Sequence, residues 1–315
     1  MLPSTPMLNF RNVFIILAIS ACCCLVYVPL VYAASPTEPI QIVVTIPVLK
    51  DFAEQVGGPY VRVTSLLSGY ENEHTYSPKP SDLVAVRNAR LLFEIGIGLE
   101  VWVASLVKNA GSPSLRVITT SKGITLIHEH LNHENGAHSF EHGEQGNPHI
   151  WMDPENAKAM TRHITEALIL ADLSHAAEYR ANQAAYIRKL DETRDELRAR
   201  IARLADRRFI AHHPAWPYLA NRFDFQIAGT IQPQSGSEPS AVQLHNLIST
   251  MKKERIKVVV SEVQLSQRIP ELLSKETGAS VVVLTTLPGG LPHTETYLDM
   301  LRYNVFQLAN ALEGL

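Results

Sequence analysis

The chain is poor in thiol. Its 315 residues contain three cysteines, Cys22, Cys23 and Cys24, all inside one apolar stretch near the amino terminus. Once that stretch is removed no cysteine is left, which excludes disulfides and cysteine-type zinc sites; any bound metal must be held by nitrogen and oxygen. Charge of one sign is also scarce: 28 Lys and Arg stand against 31 Asp and Glu, a net −3, with no long basic run. Nucleic acid therefore has no footing as a partner. Two catalytic signatures are absent as well: the sequence contains neither His-Glu-x-x-His nor Gly-x-Ser-x-Gly.

What the sequence does have is histidine. Six of its thirteen histidines fall in HEHLNHENGAHSFEHGEQGNPHIWMDP, beginning at His128 and ending at Pro154. Neutral imidazole is the commonest ligand of zinc-like metals, so this density is a metal signal. His128, His130, His133, His138 and His142 sit in a loose Gly- and Glu-rich run, the His-rich loop 128–147, where a solvated loop is the ordinary reading of any one of them. His149 differs: Pro148 and Pro154 bracket it, in a short aromatic-containing turn that fixes a side chain.

Residues 13–33 are almost wholly apolar, follow a leader with Arg11, and end in Val31-Tyr32-Ala33 before Ala34-Ser35. This is the pattern of an export signal cleaved near Ala33, and it predicts a periplasmic or otherwise extracytoplasmic protein. Ile19-Ser20-Ala21-Cys22 gives the rival reading of a lipoprotein anchored at Cys22, and an uncleaved membrane anchor is the third. The remaining chain of about 280 residues is long enough for two lobes.

After the signal, apolar runs rich in β-branched residues alternate with helical patterns, the signature of parallel sheets covered by helices. The expected strands are an apolar run from Ile40 that ends before Pro47, then 61–67, 91–95 and 115–119, followed by 208–211, 225–231, 258–261 and 280–284. Between them no Pro or Gly interrupts residues 173–207, where Ile187, Leu190, Leu197, Ile201 and Leu204 recur at helical spacing and Glu196 and Arg200 are paired four apart. This predicts one helix of about 30 residues, about 45 Å long. The expected fold is α/β: two parallel-sheet lobes joined by one long rigid helix, with a metal site in the cleft between them. The divisions are an export signal at 1–33, an amino-terminal lobe at 34–170, a linking helix at 171–206 and a carboxy-terminal lobe at 207–315.

Chemistry-bearing residues gather where such sheets bind ligands, at and beyond the carboxyl ends of strands. His74 follows the second predicted strand, His149 ends the excursion after the fourth, and His213 follows the first strand of the second lobe. Three convergent imidazoles match the ligand count of an open tetrahedral zinc site. Glu100 and Asp153 are candidates to orient imidazoles or, equally, to act as caps; His212 is expected to pack beside His213, and Trp151 and Trp216 to form walls. His163, His175 and His245, on predicted helices, are read as surface or packing residues, and His293 as a loop outlier.

Five stretches, GYENEHTYSPKPSDL, IGIGLEVWV, NPHIWMDPENA, HHPAWPYLANRF and YLDMLRYNVFQLANAL, together resemble the zinc/manganese solute-binding proteins of bacterial ABC importers, in that family's order, across about residues 40–315. The resemblance implies a metal held between two lobes and handed to an ABC permease, with His74, His149 and His213 as ligands and Zn2+ favoured over manganese because the third ligand is His rather than Glu. It implies a binding protein, likened to no enzyme and expected to be monomeric. In one place the sequence departs from the family: Leu284-Thr285-Thr286-Leu287 stands where the family usually carries a ligand Asp. Glu73 or water is the expected fourth ligand, with Glu262 or a loop histidine as alternatives. Two rival functions are an exported zinc hydrolase using Glu73 as base, and a passive buffer or metal chaperone that binds through the His-rich loop. With three imidazoles that must be deprotonated to bind, affinity should fall as pH drops through roughly 6 to 7.

Overall fold

A computed structural model describes residues 38–128, 146–232 and 238–314. The expected export signal, Cys22 and the loop histidines His130, His133, His138 and His142 lie outside the described residues. Among the described residues no helix is long and apolar enough to cross a membrane.

The first lobe carries strands β1 (Ile40–Val44), β2 (Val61–Ser65), β3 (Leu91–Glu94) and β4 (Arg116–Thr119), all parallel, in the order β2-β1-β3-β4. The second repeats the arrangement with β5 (Arg208–Ala211), β6 (Gln226–Thr230), β7 (Val258–Glu262) and β8 (Ser280–Leu284), in the order β6-β5-β7-β8. Central strands covered on both faces have no polar side to show, so Leu91, Leu92 and Phe93 of β3 and Val258, Val259 and Val260 of β7 are all fully buried.

Helices α1 (Pro47–Gly57), α2 (Pro80–Asn88), α3 (Val103–Ala110) and α4 (Pro154–Ala171) cover the first sheet; α6 (Pro217–Phe223), α7 (Ala241–Glu254), α8 (Arg268–Thr277) and α9 (Tyr297–Glu313) belong to the second half of the chain. Local chemistry sets their ends. Asp153 caps α4 by accepting from Glu155 N at 2.8 Å, with Pro154 in the first turn. Ser240 and Gln243 form a capping box on α7, and Gly278 closes α8 in the left-handed region.

The long helix α5 runs Ala176–Ile201, 26 residues, after a short 3-10 turn at Leu173–His175. It is shorter than the sequence predicts, because residues 173–175 wind more tightly and the helix ends before Leu204. At 1.5 Å per residue it is still about 39 Å long. Its buried stripe is Tyr179, Tyr186, Leu190, Thr193, Leu197 and Ile201. The first half of α5 binds the first lobe, with Tyr186 Oη donating to Asp51 at 2.8 Å and Asn182 Nδ2 to Val56 O at 3.0 Å. The second half binds α9. Glu196 and Arg200, expected to pair with each other, instead pair outward, Glu196 with Arg302 and Arg200 with Glu313 at 2.8 Å each. Counter-charges on a neighbouring helix accept each guanidinium with better geometry than a partner one turn away.

Candidate metal centre

In sheets of this order the crevice lies where the chain reverses direction across the sheet, between β1 and β3 in one lobe and between β5 and β7 in the other. Each crevice holds a buried glutamate. In the first, Glu100 accepts from Thr45 Oγ1 at 2.6 Å, Ile95 N at 2.8 Å and Gly96 N at 2.9 Å. Glu100 therefore fastens the β1 and β3 ends and, among the described residues, orients no imidazole. Burial outweighs these three donors and pushes its pKa up to about 7. The native chain thus holds a proton that the unfolded chain has released above about pH 4.3. The stability this group contributes is complete below that pH and is lost as pH rises to about 7. In Glu100→Gln, the slope of melting temperature against pH between about 5 and about 7 should flatten.

The second crevice serves the site. Glu262, at the end of β7, sits 2.7 Å from His213 Nδ1 and accepts from Trp216 Nε1 at 3.0 Å and from His213 N at 3.2 Å. Burial alone would raise its pKa; the adjacent His213, together with Trp216 and His212, holds it below the ordinary carboxylate range. Glu262 is thus placed behind His213, fixing the tautomer that turns Nε2 outward. It is not in the ligand-atom cluster, against the alternative that it supplies the fourth ligand. Glu262→Gln, of nearly equal volume, should cost roughly 10- to 100-fold in zinc affinity by isothermal titration.

His74, His149 and His213 converge with Glu73: one ligand atom from each lies within 4.8 Å of the others. The Nε2 atom of His149 is 3.0 Å from that of His74 and 3.2 Å from that of His213, and Glu73 Oε1 lies 3.8 Å from it. Tetrahedral zinc with bonds of 2.0–2.1 Å spaces its ligand atoms about 3.3 Å apart. The two edges at His149 Nε2, 3.0 and 3.2 Å, are near that length, the edge to Glu73 is longer at 3.8 Å, and all the ligand atoms lie within 4.8 Å of one another. Glu73, His149 and His213 are buried and His74 is partly so. Burial raises the Glu73 pKa above the usual carboxylate value, with His213 opposing the shift; a bound cation would favour the ionised form strongly.

Short turns aim His74 and His149 at the cluster. Asn72 Oδ1 accepts from His74 N at 2.9 Å, and Asn147 Oδ1 from His149 N at 3.0 Å, lying also 3.1 Å from His149 Nδ1. Both are Asx turns, and the Asn-x-His spacing that announces them is written twice in the sequence. Trp151, fully buried, packs against His149 and donates from Nε1 to Thr286 O at 2.8 Å. Among the described residues Asp153 reaches no imidazole. Besides capping α4 it makes a two-pronged ion pair with Arg222 of α6, at 2.7 Å on both prongs. His212 is buried, its Nδ1 accepting from Glu262 N at 3.3 Å, and burial lowers its pKa. His163 contacts Thr120 O and His175 lies against Asp172 and Tyr60, away from the cluster, while His128 is exposed. Thr285 and Thr286 are buried, and Thr286 Oγ1 donates to Glu73 Oε1 at 3.3 Å.

Residues 42–311 match the family model described as the periplasmic zinc-uptake complex component A, ZnuA. The chain is 30% identical to the high-affinity zinc uptake system protein ZnuA of Bacillus subtilis, over 89% of this chain and 90% of that protein. It is 26% identical to the iron-binding protein YfeA of Yersinia pestis, over 97% of each. A crystal structure of ZnuA superposes with a TM-score of 0.76 at 31% identity, covering 87% of this chain and all of the other. The family match spans most of the sequence and both sheets, and the chain belongs to the ZnuA family of metal-binding solute proteins.

Proposed function

We propose that this protein is the extracytoplasmic zinc-binding component of an ABC importer, capturing Zn2+ in the cleft and delivering it to the membrane permease. One observation carries the choice of site: three imidazole nitrogens from both lobes and one carboxylate oxygen lie within 4.8 Å of one another, close enough to share a single ion. His74, His149 and His213 are the nitrogen ligands and Glu73 the fourth. Relatives are named for zinc and for iron, and the donor set favours zinc: imidazole-rich tetrahedral sites suit it better than manganese, which prefers oxygen and octahedral geometry. The family consists of solute-binding proteins, not enzymes, which leaves the hydrolase reading without support.

In this reading residues 1–33 direct export, with Cys22 as the site of a lipid anchor if cleavage falls there instead, and the mature protein works as a monomer without nucleic-acid partners. The chain divides at 34–170, 171–206 and 207–315. X-ray absorption of the zinc-loaded protein tests the ligand set. Three nitrogens and one oxygen at about 2.0–2.1 Å are expected, and Glu73→Ala should convert the carboxylate oxygen shell to water with weaker binding. A first shell with more than three imidazoles assigns the loop histidines a place that this reading denies them.

A further inference from the structure

The segment 68–74 belongs to the first lobe and carries both Glu73 and His74, yet the second lobe grips it at two points. At one end Thr286 reaches Glu73. At the other, Gln264 Nε2 donates at 2.8 Å to Gly69 O and at 2.8 Å to Thr285 Oγ1. The two backbones touch there. A Cβ on Gly69, whose φ is +110°, would stand 2.4 Å from Pro288 O, and one on Gly290 would stand 2.9 Å from Gly69 O and 2.3 Å from Thr285 Oγ1.

The chemistry of the partners fixes the Gln264 amide. Gly69 O can only accept, and Thr285 Oγ1 gives its own proton to Leu287 O at 2.8 Å, so it too must accept from Gln264. Both contacts therefore demand the NH2 group. A glutamate here would set a carboxylate oxygen against a carbonyl oxygen. The other end, Gln264 Oε1, is buried and makes no hydrogen bond among the described residues, an unfavourable arrangement that the two donated bonds must outweigh.

We infer that Gln264 is a positioning residue of the metal site: by pinning Gly69 to Thr285 it holds the segment bearing Glu73 and His74 against the second lobe and slows release of the ion, while touching no ligand. Thr285, at the position where the family resemblance expects a ligand Asp, serves this clamp instead. The inference rests on the assignment of Glu73, His74, His149 and His213 as ligands.

The test is stopped-flow zinc dissociation from the full-length loaded protein into excess chelator. Gln264→Leu removes the donors at similar volume, Gln264→Glu reverses their polarity, and Gly290→Ala forces the two backbones apart. Each should raise the off-rate roughly three- to tenfold, the scale of one or two lost hydrogen bonds. Leu273→Ala, in the buried interior of α8, is the control for general loosening, since it lowers the melting temperature without touching the clamp. Off-rates unchanged in the clamp variants, or raised equally in the Leu273 control, overturn the inference. Failure of the ligand assignment looks different: the parent protein does not bind zinc stoichiometrically, or His149→Ala still does.

Discussion

His149→Ala lowers zinc affinity by more than the roughly 10- to 100-fold expected from losing an outer hydrogen-bond partner such as Glu262. His149 Nε2 is the atom that lies within 3.0 and 3.2 Å of the other two imidazoles and 3.8 Å of Glu73. In the proposed site its loss removes the central nitrogen of the cluster and leaves only His74, His213 and Glu73 to hold the ion. His149 is also in the better-built turn, with Asn147 accepting from its backbone and Trp151 against its ring. His74→Ala and His213→Ala should follow in the same direction, and removal of any single histidine between 128 and 142 should cost far less. Competition titration against a chelator of known affinity measures all four. Equal losses from loop and cleft histidines would place the ion in the loop.

Trp151→Ala is expected to destabilise the metal-free protein by about 3–5 kcal/mol, the range for deleting a large buried aromatic. The indole is fully buried and crosses the lobes, its Nε1 donating to Thr286 O, while its own carbonyl accepts from Tyr297 Oη at 2.6 Å. Truncation leaves a cavity and a buried carbonyl without its donor, and collapse cannot repair both. Denaturant unfolding should show the midpoint falling with little change in slope, and zinc affinity should fall as well, because Thr286 and His149 both lean on this ring. Trp151→Phe, which keeps most of the volume and loses the donor, should recover the greater part of the stability.

The fold was largely legible in the chain. Apolar runs such as IQIVV and VVVSE are short, β-branched and bounded by turns or helical patterns, so the strands fall where the alternation puts them. The convergence of His74, His149 and His213 was legible because each histidine stands just past a strand end or in a proline-fixed turn. What the sequence hid depends on neighbours that only the sheet order creates. Glu262 and His213 meet because β5 and β7 are adjacent, across 49 positions of chain. The same adjacency in the first lobe turns Glu100 into a fastening for Thr45, and the approach of α6 commits Asp153 to Arg222. The charges on α5 were misread for the same reason: Glu196 and Arg200 satisfy the helical spacing for a mutual pair, but α9 lies within reach and takes both. Gln264 carried no signal, since its role arises from two backbones meeting at glycines far apart in sequence.

Whether the cleft captures the ion is decided by a zinc titration of the metal-stripped mature protein against a competing chelator, run in parallel with manganese and with residues 128–142 deleted. One tight zinc site should survive the deletion, with manganese much weaker. Binding that disappears with the loop would contradict it, removing the cleft cluster from the role of the capture site and making the protein a buffer that holds zinc through the loop histidines.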